Sequence, residues 1–198
     1  PPALAPHQSE KIRIAYIAND FFDHVTSWFM EPVLARHDRS RFHITCYSGT
    51  ENKDNVTEKL ATYVDTWRDF PEDDTEGSVQ ALAHQIRRDG IDIAVLTSFF
   101  RGRDRRIFAY RTAPIQVGYH NRVSSTGLDS VDYIITEAGS DPKGEVESLF
   151  SESLVRITNH NTYLPPPNAP SPNAPPCIKN GYVTFGSFNN HAKINDPV

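Results

Sequence analysis

The stretch KIRIAYIANDFFDHVTSWFMEPVL, residues 11–34, decides the fold of this chain. It opens with an apolar run over Ile12–Ala18, which predicts a buried strand, and a helical pattern takes over by about Ser27. The turn between them, residues 19–24, holds two carboxylates and a histidine but no glycine. A strand-to-helix turn is a favoured position for a ligand in α/β proteins. Without glycine the backbone of this turn is unsuited to cradling a phosphate, so we expect side chains to act here.

Strand and helix patterns alternate through residues 11–164. The predicted strands are short, largely apolar and rich in β-branched residues: Ile12–Ala18, Phe42–Ser48, Ile91–Thr97, Ile115–Tyr119 and Tyr133–Thr136. Helices are predicted between them, over Ser27–Arg36, Asn55–Tyr63, Thr75–Arg88 and Arg103–Tyr110. Short apolar strands joined by helices are typical of a parallel sheet that is covered on both faces. We therefore predict an α/β fold for residues 11–164, with a doubly wound, Rossmann-like parallel sheet.

The two ends of the chain differ in composition from this region. Residues 1–10 are rich in proline and alanine, which predicts a linker or tail. Residues 165–180 contain seven prolines, which predicts an extended linker with neither helix nor sheet of its own. A fresh strand is predicted at Tyr182–Phe185, and residues 181–198 are interpreted as the start of a second, truncated lobe.

Composition and charge exclude several classes of protein. The net charge of −5 provides no strong basic field, so nucleic acid is not an expected partner. The sequence contains neither an apolar run long enough to span a membrane nor a recognisable signal peptide. Cys46 and Cys177 follow no metal-binding or redox spacing, which indicates free thiols in a reducing compartment. We therefore expect a cytoplasmic protein with no membrane association.

Two groups of polar side chains are candidates for chemistry. His24 lies just past the first strand, where an imidazole can donate to a hydroxyl or take its proton at neutral pH. Asp20 is expected either to orient His24 or to cap the following turn. Near the carboxyl end, Asn190 and Lys193 share one side of a forming helical turn. A lysine at such a position can bind a diphosphate, and a solvated surface lysine is the alternative.

Several stretches also carry a family resemblance: RIAYIANDFFDHV from residue 13, DGIDIAV from residue 89, STGLDSVDYIIT from residue 125 and YVTFGSFNNHAKIN from residue 182. Together they resemble the catalytic region of the O-linked N-acetylglucosamine transferase family, especially its bacterial, SPINDLY-like branch. The resemblance implies the amino-terminal lobe of a GT-B glycosyltransferase. Such enzymes move a sugar from a UDP-sugar to Ser or Thr of proteins, with inversion and with neither a metal nor another cofactor. The implied partners are the UDP-sugar, a protein or peptide acceptor, the missing carboxyl-terminal lobe and tetratricopeptide repeats.

The motifs of this family fall on particular residues of the chain. The pattern D-x-x-x-H after the first strand falls on Asp20 and His24, which implies that His24 serves the acceptor side of the cleft or acts as a base. The pattern F-[NG]-[NQ]-x-x-K falls on residues 188–193. It implies that Lys193 stabilises the charge developing on the leaving diphosphate. It also implies that Asn190 contacts the uridine diphosphate.

Two loops depart from the family pattern. Where the family reads D-L-x-G-H-T, residues 96–101 read LTSFFR. Where it reads W-x-G-Y-P-G-T-[TS]-G, the segment that begins at Tyr119 keeps only Ser125, Thr126 and Gly127, so residues 119–124 are altered. The three retained residues are predicted to bind substrate. Because both loops follow strands, we expect both to face the cleft.

The sequence leaves three hypotheses for function. The first is an inverting, UDP-sugar-dependent protein O-glycosyltransferase, with N-acetylglucosamine as the expected sugar and this chain as its acceptor-side lobe. The second is a non-catalytic relative that binds proteins or peptides; the altered loops favour it, and the retained Asp20, His24, Asn190 and Lys193 disfavour it. The third is a glycosyltransferase with a changed acceptor, such as one that glucosylates asparagine. The fragment alone is predicted to be inactive.

Overall fold

The structure is a computed structural model that describes residues 9–70, 73, 75–97, 102–119, 124–158, 165 and 168–188, with the backbone alone for residues 102–104. It divides into two compact units, residues 1–164 and residues 165–198, which are described separately. Within the described residues, no helix is long and apolar enough to cross a membrane.

The first unit is built on one seven-stranded sheet. Its strands are β1 Ile12–Ala18, β2 Phe42–Ser48, β3 Thr66–Asp69, β4 Ile93–Leu96, β5 Ile115–Tyr119, β6 Tyr133–Thr136 and β7 Ser153–Arg156. All pairings are parallel, and the strand order is β3-β2-β1-β4-β5-β6-β7. The chain thus winds outward from β1 to one edge and then from β4 to the other. The predicted doubly wound, Rossmann-like α/β sheet is confirmed.

Helices connect most of these strands. They are α1 Val25–Leu34, α2 Asn55–Ala61, α3 Glu76–Arg88 and α4 Gly102–Ala109, with a short 3₁₀ helix at Glu147–Leu149 before β7. All four predicted helices are present, with ends that differ from the prediction by at most two residues.

Two apolar clusters form the core of this unit. Successive residues of β1 join different clusters: Ala15 and Ile17 belong to one, Ile14 and Tyr16 to the other. This alternation follows from the strand geometry, in which neighbouring side chains point to opposite faces of the sheet. Buried residues of α3 and α4 complete the first cluster, and buried residues of α1 and α2 complete the second. Each fully buried aliphatic or aromatic side chain contributes about 1.5–3 kcal/mol to the stability of the fold. This packing holds the strands and helices in place and so fixes where the loops at both ends of the sheet begin.

The second unit corrects two predictions. Residues 176–180 of the proline-rich segment form a short helix, α5 Pro176–Asn180, although no helix was expected there. Pro176 occupies its first turn, where a missing N–H costs nothing, and Gly181 ends it with a φ of 75°. The predicted strand at Tyr182–Phe185 is wrong, because these described residues form no strand and are exposed. A strand needs a neighbouring backbone for its N–H and C=O groups, and the described part of this unit has none to offer.

Candidate functional site

The site begins at the point where the strand order reverses. β1 and β4 are neighbours in the sheet, but the chain winds away from them in opposite directions. In doubly wound sheets, ligands bind in the crevice outside the carboxyl ends of the strands at this point. Residues 19–24 leave the carboxyl end of β1 and lead into α1, so they lie at this crevice. The fold therefore supports the position predicted for Asp20 and His24.

Neighbouring elements hold this turn in place. The Phe21 side chain is fully buried, and its ring centroid lies 5.6 Å from that of Trp67. The Thr57 hydroxyl donates a hydrogen bond of 2.7 Å to the Phe21 carbonyl, and the Asp23 N–H donates one of 2.8 Å to the Asp54 carboxylate. Hydrogen bonds from the backbone N–H groups of Thr57 and Asp23 hold the pKa of the Asp54 carboxyl below its usual value. The amino end of α2 thus fixes the path of the turn.

His24 caps the first helix with its side chain. Its backbone is extended, with φ −146° and ψ 154°, and its Nδ1 accepts a hydrogen bond of 3.2 Å from the Thr26 N–H. The Thr26 hydroxyl also lies 3.1 Å from Nδ1. The ring is half-buried, and its centroid lies 5.5 Å from that of Phe22. The helix therefore starts at Val25, two residues before the predicted start at Ser27.

The cap determines what the imidazole of His24 can do. A neutral ring that accepts at Nδ1 carries its proton on Nε2, so the outward nitrogen is a hydrogen-bond donor. In the described part of the chain Nε2 has no hydrogen-bond partner. To act as a base through Nε2, the ring would have to move its proton to Nδ1 and break the cap. The geometry therefore favours a donor, rather than a base, at this position.

Asp20 is a largely buried residue whose carboxylate has no hydrogen-bond partner among the described residues. The residue is 8% exposed, and its backbone carbonyl accepts a 2.8 Å hydrogen bond from the Ser27 hydroxyl. Among the described residues, however, no donor reaches its carboxylate. It neither orients His24 nor caps α1, because His24 is the cap, so both predicted roles are wrong. The fully buried side-chain atoms without a partner in the described residues are Arg13 Nε and Arg39 Nε, so the Asp20 carboxylate oxygens keep contact with solvent and are open to a ligand.

The polar groups of the Ser125–Gly127 segment, unlike the Asp20 carboxylate, have hydrogen-bond partners within the part of the chain that the structure describes. The Ser125 hydroxyl donates a 2.7 Å hydrogen bond to one carboxylate oxygen of Glu152. The other oxygen accepts from the Thr126 N–H at 2.7 Å and also from the Thr126 hydroxyl. Glu152 directly precedes β7, at the amino end of that parallel strand. The structure thus does not bring the hydroxyls of Ser125 and Thr126 to the end of the sheet where His24 lies, and substrate binding by this segment stays a prediction.

Further hydrogen bonds complete the segment. The Arg105 guanidinium donates to the Thr126 carbonyl at 2.7 Å, and the Gly127 N–H donates to the Ser125 hydroxyl at 3.0 Å. Gly127 has a φ of 67°, a left-handed conformation that glycine adopts without strain. Burial raises the pKa of the Glu152 carboxyl, but hydrogen bonds from Thr126 and Ser125 outweigh it and leave the pKa below its usual value.

The first altered loop begins with a core residue. Leu96, which stands where the family pattern has aspartate, is fully buried in the same apolar cluster as Ile17. The neighbouring Thr97 hydroxyl donates to the Ile17 carbonyl at 3.2 Å. The carboxylate that the family pattern has here is therefore replaced by apolar packing between β1 and β4.

Several predicted features cannot be placed. Asn190 and Lys193 lie outside the described residues, as do residues 98–101 and 120–123 of the altered loops. Across the described ranges, no three His, Cys, Asp or Glu side chains are grouped closely enough to hold a metal ion.

The fold and the turn at its switch point define a Rossmann-like α/β domain with a candidate ligand site beyond β1. The sequence profile of glycosyl transferase family 41 matches residues 2–164, and the chain belongs to this family. The family resemblance that its sequence motifs indicated is thereby confirmed.

Individual relatives agree with this assignment. The chain is 36% identical over 191 residues to a Solanum lycopersicum protein named as a probable UDP-N-acetylglucosamine–peptide N-acetylglucosaminyltransferase SPINDLY, covering 93% of this chain and 20% of that protein. It is 34% identical over 147 residues to a Caenorhabditis elegans UDP-N-acetylglucosamine–peptide N-acetylglucosaminyltransferase, covering 73% of this chain and 12% of that one.

A solved structure resembles the chain as well. A lysine-to-methionine mutant of the Thermobaculum terrenum O-GlcNAc transferase matches with a TM-score of 0.72 and 33% identity, covering 86% of this chain and 33% of that one. The chain spans about a fifth of the length of the curated SPINDLY relatives that it matches.

Proposed function

We propose that this chain is the acceptor-side lobe of an inverting protein O-glycosyltransferase that moves N-acetylglucosamine from UDP to Ser or Thr. The observation that carries the proposal is His24, which lies at the switch point of a family 41 domain and whose Nε2 has no hydrogen-bond partner among the described residues. The names of the relatives support UDP-N-acetylglucosamine as the donor and a peptide as the acceptor. In this proposal the domain is one Rossmann-like lobe of a GT-B enzyme and works with a carboxyl-terminal lobe and tetratricopeptide repeats.

The proposed reaction is a single displacement at the anomeric carbon of the sugar. The acceptor hydroxyl oxygen attacks that carbon, the bond from the carbon to the diphosphate oxygen breaks, and UDP leaves. His24 donates from Nε2 to an oxygen of the bound substrates and so fixes their orientation, which removes much of the entropic cost of reaction. Lys193 neutralises the charge that develops on the diphosphate, and Asn190 contacts the UDP. No metal or other cofactor takes part in this scheme.

A second candidate function is a non-catalytic lobe that binds proteins or peptides. The buried Leu96 favours it, because a carboxylate of the family pattern is absent from the end of β4. Against it stand the donor on His24 and the Asp20 carboxylate, which has no partner in the described part of the chain; a purely structural turn needs neither. N-linked transfer to asparagine remains a variant of the enzyme hypothesis with the same lobe and a different acceptor.

A cytoplasmic location and a bacterial source stay predictions.

Mass spectrometry of acceptor proteins tests the proposal. The protein, at the full length that its gene encodes, is incubated with UDP-N-acetylglucosamine or UDP-glucose and with Ser/Thr- and Asn-containing peptides. We expect a mass gain of one N-acetylhexosamine on Ser or Thr, and a large loss of turnover in Lys193→Ala with little change in UDP affinity. Modification of asparagine alone would select the variant hypothesis. No transfer to any acceptor, with UDP binding absent, would select the non-catalytic lobe.

The 198-residue chain itself offers a simpler measurement. We expect it to be inactive and to bind UDP weakly, because most donor contacts are assigned to the other lobe. Sub-micromolar binding of UDP in isothermal titration would contradict the assignment of this lobe to the acceptor side.

A further inference from the structure

We propose that Asp20 is the general base of the transfer reaction, an inference that rests on the proposed function. The proton of the acceptor hydroxyl passes to the Asp20 carboxylate while the hydroxyl oxygen bonds to the anomeric carbon and the diphosphate departs. The carboxylate becomes a neutral carboxyl, UDP carries away the electron pair of the broken bond, and water later takes up the proton. Three observations carry the inference.

The first observation is that Asp20 differs from the other buried carboxylates. Asp92, also 8% exposed, accepts a 2.9 Å hydrogen bond from the Arg13 N–H. Asp141 accepts from the Thr136 hydroxyl, and Glu152 accepts three hydrogen bonds. Asp20 alone among these four accepts none within the described residues. The fully buried side-chain atoms without a partner in the described residues do not include its oxygens, so the carboxylate is open to a ligand that donates a hydrogen bond.

The second observation is that the outward nitrogen of His24 is a hydrogen-bond donor and so cannot act as the base. Its Nδ1 is occupied by the Thr26 N–H, so its outward nitrogen carries a proton. A protonated Nε2 can orient a hydroxyl through the oxygen but cannot take its proton. The base must therefore be a second group at the crevice.

The third observation is the place of Asp20. It lies two residues beyond the end of β1 and four residues before His24, at the switch point of the sheet. The neighbouring strand β4 ends with the fully buried Leu96, so it offers no carboxylate there. Asp23, the other carboxylate of the turn, is exposed and accepts a hydrogen bond from the Trp28 side chain. Asp20 and His24 can divide the work, because one takes the proton and the other holds the oxygen.

Asp20→Asn separates the base from simple binding, because the amide keeps the shape and one acceptor oxygen but takes no proton. In the protein at the full length that its gene encodes, we expect kcat to fall about 100-fold or more, in the range that general base catalysis supplies. The KM values for UDP-N-acetylglucosamine and the acceptor peptide should change by less than about threefold, since KM follows ground-state binding. The acidic limb of the pH profile of kcat/KM should disappear.

Asp92→Asn is the matched control, because it alters an equally buried carboxylate at the other end of the sheet. We expect it to lower thermal stability while leaving kcat within about twofold, as expected for a site remote from the reaction. Asp20→Ala adds a measurement that a structural role would not affect: formate, a small carboxylate, should restore part of the lost turnover.

The outcomes separate the two proposals. Suppose that the wild-type protein transfers sugar and that Asp20→Asn keeps the wild-type kcat, with or without a higher KM. The proposal that Asp20 is the general base is then wrong, and the proposed transferase function stands. If formate fails to restore a folded Asp20→Ala variant, the base is likewise overturned. If the wild-type protein transfers no sugar to any acceptor, the proposed function fails and the base fails with it.

Discussion

The turn after β1 and the Ser125–Gly127 segment contain the same kinds of polar side chain, yet they use them differently. In the first, the Asp20 carboxylate and the His24 Nε2 have no partner among the described residues. In the second, both hydroxyls and the Thr126 N–H bind Glu152. Polar groups that a fold satisfies internally stabilise it, whereas groups that it leaves unsatisfied are available to a ligand. We therefore expect substitutions in the turn to lower activity and substitutions around Glu152 to lower stability.

The largest expected effect belongs to His24. His24→Asn keeps a good helix cap, since an asparagine oxygen can accept from the Thr26 N–H, but removes the Nε2 donor. We expect transferase kcat to fall about 100-fold, as when one preorganised donor is removed from an active site, with an unchanged melting temperature. His24→Ala should lose the same activity and in addition about 1 kcal/mol of stability through the missing cap.

Steady-state kinetics and urea unfolding of both variants make this comparison. Full activity in His24→Asn would show that the histidine serves only as a cap. Equal instability of the two variants would show that asparagine does not replace the cap.

Glu152→Ala is the counterpart in the second segment. It leaves two hydroxyls and one N–H without their acceptor, so we expect the free energy of unfolding to fall by about 3 kcal/mol. At a temperature where the variant is folded, kcat should stay within about twofold of wild type, because Glu152 lies at the opposite end of the sheet from His24. A large loss of kcat in a fully folded variant would break the proposed division between the two regions.

Two threonines allow an isosteric version of the same comparison. Thr126→Val removes a hydroxyl that donates to a carboxylate, and Thr57→Val removes one that donates to the Phe21 carbonyl. We expect losses in the free energy of unfolding of about 2 kcal/mol for Thr126→Val and about 1 kcal/mol for Thr57→Val, because hydrogen bonds to charged groups are stronger. Because Thr57 holds the turn beside His24, only its variant should also alter the KM for the acceptor. Urea titrations and acceptor kinetics of the two variants provide the measurement.

The smallest effect is a dependence of stability on pH. The net pKa of the Glu152 carboxyl is lowered in the folded chain, although burial alone raises it. The folded state therefore holds this proton less tightly than the unfolded state does. Its contribution to stability is complete above the unfolded pKa of about 4.3 and is lost as pH falls through the lower folded value. In urea unfolding between pH 7 and pH 3, Glu152→Gln should show a shallower acid decline than wild type, and an identical decline would contradict the assignment.

Most of the fold was predictable because its strands are buried apolar runs. The limits of β1, β2, β5 and β6 agree with the sequence prediction residue for residue. The strands β3 and β7 were missed because they lie at the edges of the sheet, where half the side chains are polar and exposed, as in Thr66–Asp69. The helix in the proline-rich segment was missed because composition outweighed the local signal of Pro176 and Gly181.

The candidate site was only partly predictable. The position of Asp20 and His24 follows from strand order, which alternating patterns indicate. The capping role of His24 was missed because histidine is not a common cap, so the helix was expected to begin at Ser27. Glu152 was missed for a different reason: it binds residues 26 and 27 positions earlier in the chain, and a single acidic residue in a short polar segment carries no pattern.

The cap at His24 also bears on how this lineage can evolve. A histidine codon becomes an asparagine or an aspartate codon by changing one nucleotide, and both of those residues cap helices well. One point mutation can therefore silence the chemistry of this turn without unfolding the domain. Genes for inactive but intact descendants should arise readily from such a lobe, and they would survive wherever binding the acceptor protein is useful by itself.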